Sequence, residues 1–272
     1  MTDTRPAAFD ARKHAVRRAF ERAASTYDAA AHVQRETAQR LFAFAGGYPP
    51  EAPVRRMLDA GCGTGRSTRA LVARFPGALC LALDFSTAML GRARTVWGAA
   101  QVVPLAADIE RLPLAANSID LYWSSLALQW CEPEAALTEA ARVLVPGGAA
   151  WIATLGPRTL NELRTAFAAV DDDAHTIEFR SLSDWCDASR HTGLTVTAQA
   201  DETLFDFASD LRALIGNIKA IGARTVFDAR RRRTLGRRGW QTLQSAYEAF
   251  RSSDGLLPTT YDLILLALRK PA

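Results

Sequence analysis

Asp59, Gly61, Gly63 and Gly65 occupy every second position of the stretch LDAGCGTGRSTRALVARF, residues 58–75. A short apolar run precedes this loop and a helix-length segment follows it. That arrangement brings backbone N–H groups and a helix N-terminus up to a bound nucleotide. Gly61 and Gly63 let the backbone turn tightly and approach a ligand with no Cβ in the way. Gly65 is expected to let the following helix pack close to the strand. The spacing departs from G-x-G-x-x-G, whose glycines cradle a pyrophosphate. Asp59, two residues ahead of the first glycine, would repel a phosphate and attract a cation. The loop therefore selects a nucleoside that carries positive charge. S-adenosylmethionine, with a sulfonium, an ammonium and no phosphate, answers that description.

More acids follow at the ends of apolar runs. Asp84 closes LCLALD (79–84), where a carboxylate can accept both ribose hydroxyls, or can simply cap the next helix. Asp108 and Ile109 follow VVPLAA (102–107); the first could meet an adenine amino group or serve as a cap, while the second packs the ring. Met89, one turn into the next helix, could cover the other adenine face or belong to the core. Phe85 and Ser124 complete the candidate cofactor-binding set. Any one of these acids is ambiguous. Acids at the carboxyl ends of successive strands, on the ligand edge of one sheet, are much less so.

The elements that must hold these residues read as alternating strands and helices. Strands are expected at RRMLDA (55–60), 79–84, 102–108, 119–128 and 149–155, with helices between them and a turn at PGG (146–148). Ahead of them, residues 13–45 carry a helical pattern anchored on Val16, Phe20, Tyr27, Val33, Leu41 and Phe44, ended by the breaker cluster GGYPPEAP (46–53). After residue 155 helices dominate, near 157–170, 183–192, 208–222 and 240–251. Strand-like LTVTAQADETLFDF lies among them, and TTYDLILLALRK closes the chain. The expected fold is α/β and Rossmann-like: a mostly parallel seven-stranded sheet with a helical lid inserted before the last strand. The expected division is an N-terminal helical segment at 1–53 and one domain at 54–272, with the lid at about 157–251.

Composition narrows the function classes. The chain of 272 residues is 49% hydrophobic, enough for one sizeable core, yet no apolar run approaches the roughly 20 residues of a membrane-spanning helix. The N-terminus lacks an apolar signal core, and Asp3, Asp10 and Glu21 argue against a transit peptide. Cys62, Cys80, Cys131 and Cys186 stand far apart, with no C-x-x-C pair, and read as reduced thiols of a cytoplasmic protein. No metal is expected. The net charge of +4 is concentrated: GARTVFDARRRRTLGRRG (222–239) holds seven arginines against one aspartate, and the rest of the chain is slightly acidic. A nucleic-acid binder would use such a run on phosphates, but only Phe227 interleaves it, so neither a nucleic-acid nor a membrane partner is expected.

Together with VLVPGGAAWIAT (143–154), this order of motifs resembles class I S-adenosylmethionine-dependent methyltransferases over about residues 54–155. Members that methylate exocyclic amines carry an Asn/Asp-Pro-Pro-aromatic loop after the fourth strand; here that position reads SSLALQW (124–130). FERAASTYDAAAHVQ (20–34), ADIERLPLAANSIDLYWSSLALQW (107–130), IKAIGA (218–223) and LPTTYDLILL (257–266) resemble the malonyl-[acyl-carrier protein] O-methyltransferase family of biotin synthesis over nearly the whole chain. The resemblance implies methyl transfer from S-adenosylmethionine to the free carboxylate of a malonyl thioester on acyl-carrier protein, with malonyl-coenzyme A as a related substrate. A same-fold alternative is a methyltransferase of another small carboxylate or a quinone-like carbon. Tyr27 would seal the reacting centre or merely pack on the core, and Gln129 and Trp130 would line the acceptor side. The cation that holds the malonyl carboxylate stays open among Lys219, Arg224 and the later arginines. Arg230, Arg231, Arg232 and Arg233 would steer an acidic carrier protein.

Overall fold

The computed structural model describes residues 7–97, 101–173, 175–222 and 235–272. Three helices lead: α1 (Ala7–Ala23), α2 (Tyr27–Ala30) and α3 (His32–Ala45). The alternating part runs β1 (Arg56–Ala60), α4 (Arg66–Arg74), β2 (Leu79–Asp84), α5 (Thr87–Trp97), β3 (Val102–Ala106), β4 (Ile119–Ser125), α6 (Pro133–Val143) and β5 (Leu144–Leu155). Then come α7 (Asn161–Ala168), α8 (Leu182–His191), β6 (Thr195–Ala208), α9 (Leu211–Ala220), α10 (Arg237–Glu248) and β7 (Leu257–Arg269). The sheet order is β3-β2-β1-β4-β5-β7-β6. β1 pairs in parallel with β2 and β4, β2 with β3, and β4 with β5, while β7 runs antiparallel to β5. This is the α/β architecture expected from the alternation, with reversal of strand order between β1 and β4, where such sheets bind ligands.

Several boundaries moved for physical reasons. The long N-terminal helix is broken at 24–26 and again at Ala31. The fourth strand stops at Ser125 and not at 128, because Leu126 adopts a left-handed conformation (φ 54°) and Leu128–Trp130 curl into a 3-10 turn. The third strand stops at Ala106, two residues short of Asp108. Pro146–Gly148 is no turn between a helix and a strand. It forms part of β5, where the register against β4 shifts between Ile119 and Leu121, and Gly147 sits at φ 76°. A bulge lets one long strand change its aim without leaving the sheet.

The chain forms two compact units. The sheet unit comprises 31–156, 180–202 and 263–272. Its core joins Leu58, Leu83, Tyr122, Leu137, Ile152 and Leu266, all fully buried, as the apolar runs of a parallel sheet covered on both faces require. On α3, Phe42 stacks on Trp123 at 4.1 Å between ring centroids. The second unit comprises 1–30, 157–179 and 203–262, and therefore holds α1, α2, α7, α9 and α10. This division assigns α8 and the first half of β6 to the sheet unit, although both fall within the range expected for the lid. In the second unit Arg158 donates to buried Asp262 through Nε (2.9 Å) and its own backbone N–H (3.0 Å). Buried Glu162 accepts from the backbone N–H of Thr260 at 3.1 Å and from the Thr260 hydroxyl. Among the described residues no helix is long and apolar enough to cross a membrane.

Candidate cofactor site in the sheet unit

Ala60 is the last residue of β1, and the chain there must leave the sheet and start a helix within five residues. All three glycines of that turn have positive φ: 85° at Gly61, 53° at Gly63 and 83° at Gly65. They serve different ends. A Cβ on Gly61 would stand 2.3 Å from the Cβ of Ala127, in the loop after β4. A Cβ on Gly65 would meet the Trp97 indole nitrogen at 2.3 Å and Ala93 at 2.9 Å. Gly65 thus brings the start of α4 against α5, where a close approach to the preceding strand was expected. Around Gly63 nothing lies within 4 Å of that position. The loop is closed on both sides and open in its middle.

Two buried carboxylates lie at this turn, Asp59 on β1 ahead of it and Asp84 bonded to the Gly63 N–H. Asp59 is 1% exposed; its Oδ2 accepts from the Thr68 hydroxyl at 2.6 Å, and its Oδ1 has no partner. Burial pushes its pKa up to about 7, the Thr68 hydrogen bond opposing and the charge of Asp84 adding to the rise. Asp84, 7% exposed, accepts from the backbone N–H groups of Ser86 (2.8 Å) and Gly63 (3.0 Å). Burial raises it to about 6 in spite of those bonds. Desolvated acids are ordinarily neutralised by a neighbouring cation. Neither of these two has a Lys or Arg among its bonds. A ligand bringing positive charge would supply what the fold omits.

The other expected residues fall into three groups. Ile109 lies 3.7 Å from the place of a Gly61 Cβ, at the same loop, and half-buried Phe85 follows Asp84 directly. Met89 is 1% exposed, on the turn of α5 that Ser86 caps by accepting from the Met89 N–H at 3.3 Å. Asp108 pairs through its backbone with Arg111 in an isolated antiparallel β-bridge, and its side chain accepts from the Glu110 N–H at 3.0 Å. Ser124 is fully buried and its hydroxyl donates to the Ala60 carbonyl at 2.8 Å, tying β4 to the end of β1. Gln129 and Trp130 stand on the 3-10 turn, where the Gln129 amide donates to the Leu126 carbonyl at 2.8 Å. That bond braces the left-handed residue. Tyr27 opens α2 in the second unit, its ring 6.4 Å from that of Phe20. Lys219 is exposed on α9, also in the second unit. Arg224 and Arg230–Arg233 lie outside the described residues.

Sequence reasoning missed four participants: Thr68, Ser86, Ala127 and Leu126. Ser86 had a signal, a serine just before a helical stretch, which is the N-cap pattern. Thr68 and Ala127 had none, since their roles depend on which strands become neighbours. Among the described residues no three His, Cys, Asp or Glu side chains are grouped to hold a metal ion.

Sheet order, glycine turn and uncompensated acids define the class of Rossmann-like methyltransferases. A methyltransferase-domain family model matches residues 58–152. The crystal structure of geranyl diphosphate C-methyltransferase from Streptomyces coelicolor, in complex with geranyl diphosphate and S-adenosylhomocysteine, superposes with a TM-score of 0.53 at 16% identity, over 87% of this chain and 79% of that one. At such identity the likeness is one of fold. The malonyl-[acyl-carrier protein] O-methyltransferase of Dechloromonas aromatica is 45% identical over 258 residues, 95% of each chain. The biotin biosynthesis bifunctional protein BioHC of Cellvibrio japonicus is 38% identical over 95% of this chain and half of its own length. The chain belongs to the malonyl-[acyl-carrier protein] O-methyltransferase family.

Proposed function

We propose that this protein transfers a methyl group from S-adenosylmethionine to the free carboxylate of malonyl-[acyl-carrier protein], in the cytoplasm, as a step of biotin synthesis. The observation that carries the cofactor is the pair Asp59 and Asp84, buried at a glycine turn with no cation bonded to either. Asp59 faces the charged amino-acid end and Asp84 takes the ribose hydroxyls. Asp108, Ile109, Met89 and Phe85 surround the base. Gly63 leaves room for the nucleoside, and Ser124, Gly61 and Gly65 hold the turn in shape.

S-adenosylmethionine supplies an electrophilic methyl group on a sulfonium. The acceptor needs no activation, since a carboxyl with a pKa of roughly 3–4 is already ionised at neutral pH. The protein therefore has to align and dehydrate, with no base to provide. Gln129 and Trp130 line the acceptor side, and Tyr27 closes over the reacting groups. Lys219, Arg224 or one of the later arginines holds the malonyl carboxylate, and Arg230–Arg233 attract the acidic carrier protein; steering charges act on association and its salt dependence, and leave the chemical step alone.

The test is incubation with methyl-labelled S-adenosylmethionine and, separately, malonyl-carrier protein, malonyl-coenzyme A and tRNA. Label on the carrier-protein substrate, with or without coenzyme A, is the expected result; label on tRNA alone would overturn it. Replacing Arg230–Arg233 with Glu should raise KM for malonyl-carrier protein and leave turnover at saturation nearly unchanged. An unaltered KM would remove these arginines from the partner site.

A further inference from the structure

We propose that Asp59 exchanges a proton with solvent as the charge of the bound cofactor changes, so that the sulfonium donor is held by an ionised Asp59 and the neutral thioether product leaves it protonated. The inference rests on the cofactor reading above and adds how one residue tells donor from product. Asp59 is 1% exposed, so water does not solvate its charge. Only Oδ2 has a partner, the Thr68 hydroxyl. Oδ1 is buried with none. A carboxylate with one oxygen bonded and the other bare is in balance between two states: a ligand cation stabilises the charged one, and a proton satisfies the other.

The groups around Asp59 leave it as the element able to respond. Thr68 on α4 is a hydroxyl and does not titrate. Cys62 in the loop, Cys80 on β2 and Tyr122 on β4 are all pushed upward by burial and stay neutral. Asp84 on β2 titrates near 6, lower than Asp59 near 7, and both its oxygens already accept backbone N–H bonds. Its expected partners, ribose hydroxyls, are the same in donor and product. S-adenosylmethionine carries a sulfonium, an ammonium and a carboxylate, net +1, and S-adenosylhomocysteine keeps only the ammonium and carboxylate, net zero. In the transfer, the methyl–sulfur bond breaks with its electron pair passing to sulfur, and the carboxylate oxygen forms the new bond to carbon. One positive and one negative charge vanish together. Asp59 then faces a ligand end with no net charge in place of one of +1, and takes its proton from water.

Titration calorimetry at one pH in two buffers of different ionisation enthalpy counts the protons. At pH 7, S-adenosylmethionine should expel about half a proton per site, since a group is half protonated at its pKa. S-adenosylhomocysteine should expel clearly less. The affinity ratio of donor to product should fall as pH drops from 8 to 7, a range in which Asp84 stays mostly ionised. In Asp59→Asn the difference between the two ligands should vanish. Thr68→Val, which keeps the carboxylate but removes its stabilising hydroxyl, should move the pH dependence upward. Equal proton release by both ligands in the wild type, or a difference that survives in Asp59→Asn, would overturn the inference and leave the cofactor reading standing. Failure of the folded wild type to bind either ligand would sink both.

Discussion

Both compact units bury carboxylates, and the pair Asp262 and Glu162 in one is treated differently from the pair Asp59 and Asp84 in the other. In the second unit Asp262 is held by Arg158, and Glu162 by the N–H and hydroxyl of Thr260. In the sheet unit Asp59 and Asp84 are as deeply buried, yet no cation is bonded to either and both are raised toward neutrality. Asp262 and Glu162 are finished by the chain itself, whereas Asp59 keeps a bare oxygen and Asp84, though both its oxygens accept N–H bonds, is still raised by burial. Internal partners fix a fold; missing partners mark where something from outside has to fit.

The contrast can be broken most strongly at Arg158. Arg158→Ala leaves the Asp262 carboxylate buried without its cation, and should lower unfolding free energy by about 2–4 kcal/mol, reduced from the upper end because the guanidinium itself is half in solvent. A shift of the urea midpoint at constant m-value would register it. An unchanged midpoint would mean that Asp262 does not depend on Arg158.

Asp59→Asn should move stability the other way. An unfolded Asp ionises near 3.9, whereas the folded one keeps its proton to about 7. The folded state therefore binds more protons across that window, and wild-type stability falls as pH climbs from about 4 to about 7. Asparagine has no such dependence. The variant should exceed the wild type by about 4 kcal/mol at pH 8 and by almost nothing at pH 4. A destabilised variant at pH 8 would place Asp59 among the finished acids.

Asp84→Ala should weaken S-adenosylmethionine binding at least about tenfold by calorimetry, roughly 1.4 kcal/mol. Unchanged affinity would put the ribose contact elsewhere. Glu162→Gln should be the mildest change, about 1 kcal/mol, since the amide oxygen can still accept one of the two Thr260 bonds. An unchanged urea midpoint would mean that the Thr260 bonds do not hold Glu162 in place.

Much of this was legible in the residues. The alternation of apolar runs with helical segments announced the doubly wound sheet, because a parallel strand buried on both faces has to be apolar throughout. Asp59 and the three glycines pointed to a cationic nucleoside by type and spacing alone. The local reading failed where geometry comes from distant chain. Gly65 packs against Trp97, thirty-two positions away. Leu126 ends β4 in a left-handed turn that carries neither glycine nor asparagine to signal it. The two-sided character of the buried acids was invisible for the same reason: Asp262 and Asp59 look alike in sequence, and only the tertiary neighbours separate them.

The missing side chain at Gly61 reaches beyond cofactor binding. Its space is taken by Ala127, in the segment that follows β4 and carries Gln129 and Trp130. The glycine turn and the segment after β4 are therefore fitted to one another, with no clearance for a methyl group on Gly61. Grafting the 125–130 segment of a relative to alter acceptor choice would succeed only if the graft kept alanine or glycine at its third position. A larger residue there would press on Gly61, so if the two segments serve donor and acceptor as proposed, acceptor choice and donor binding would have to be re-engineered together.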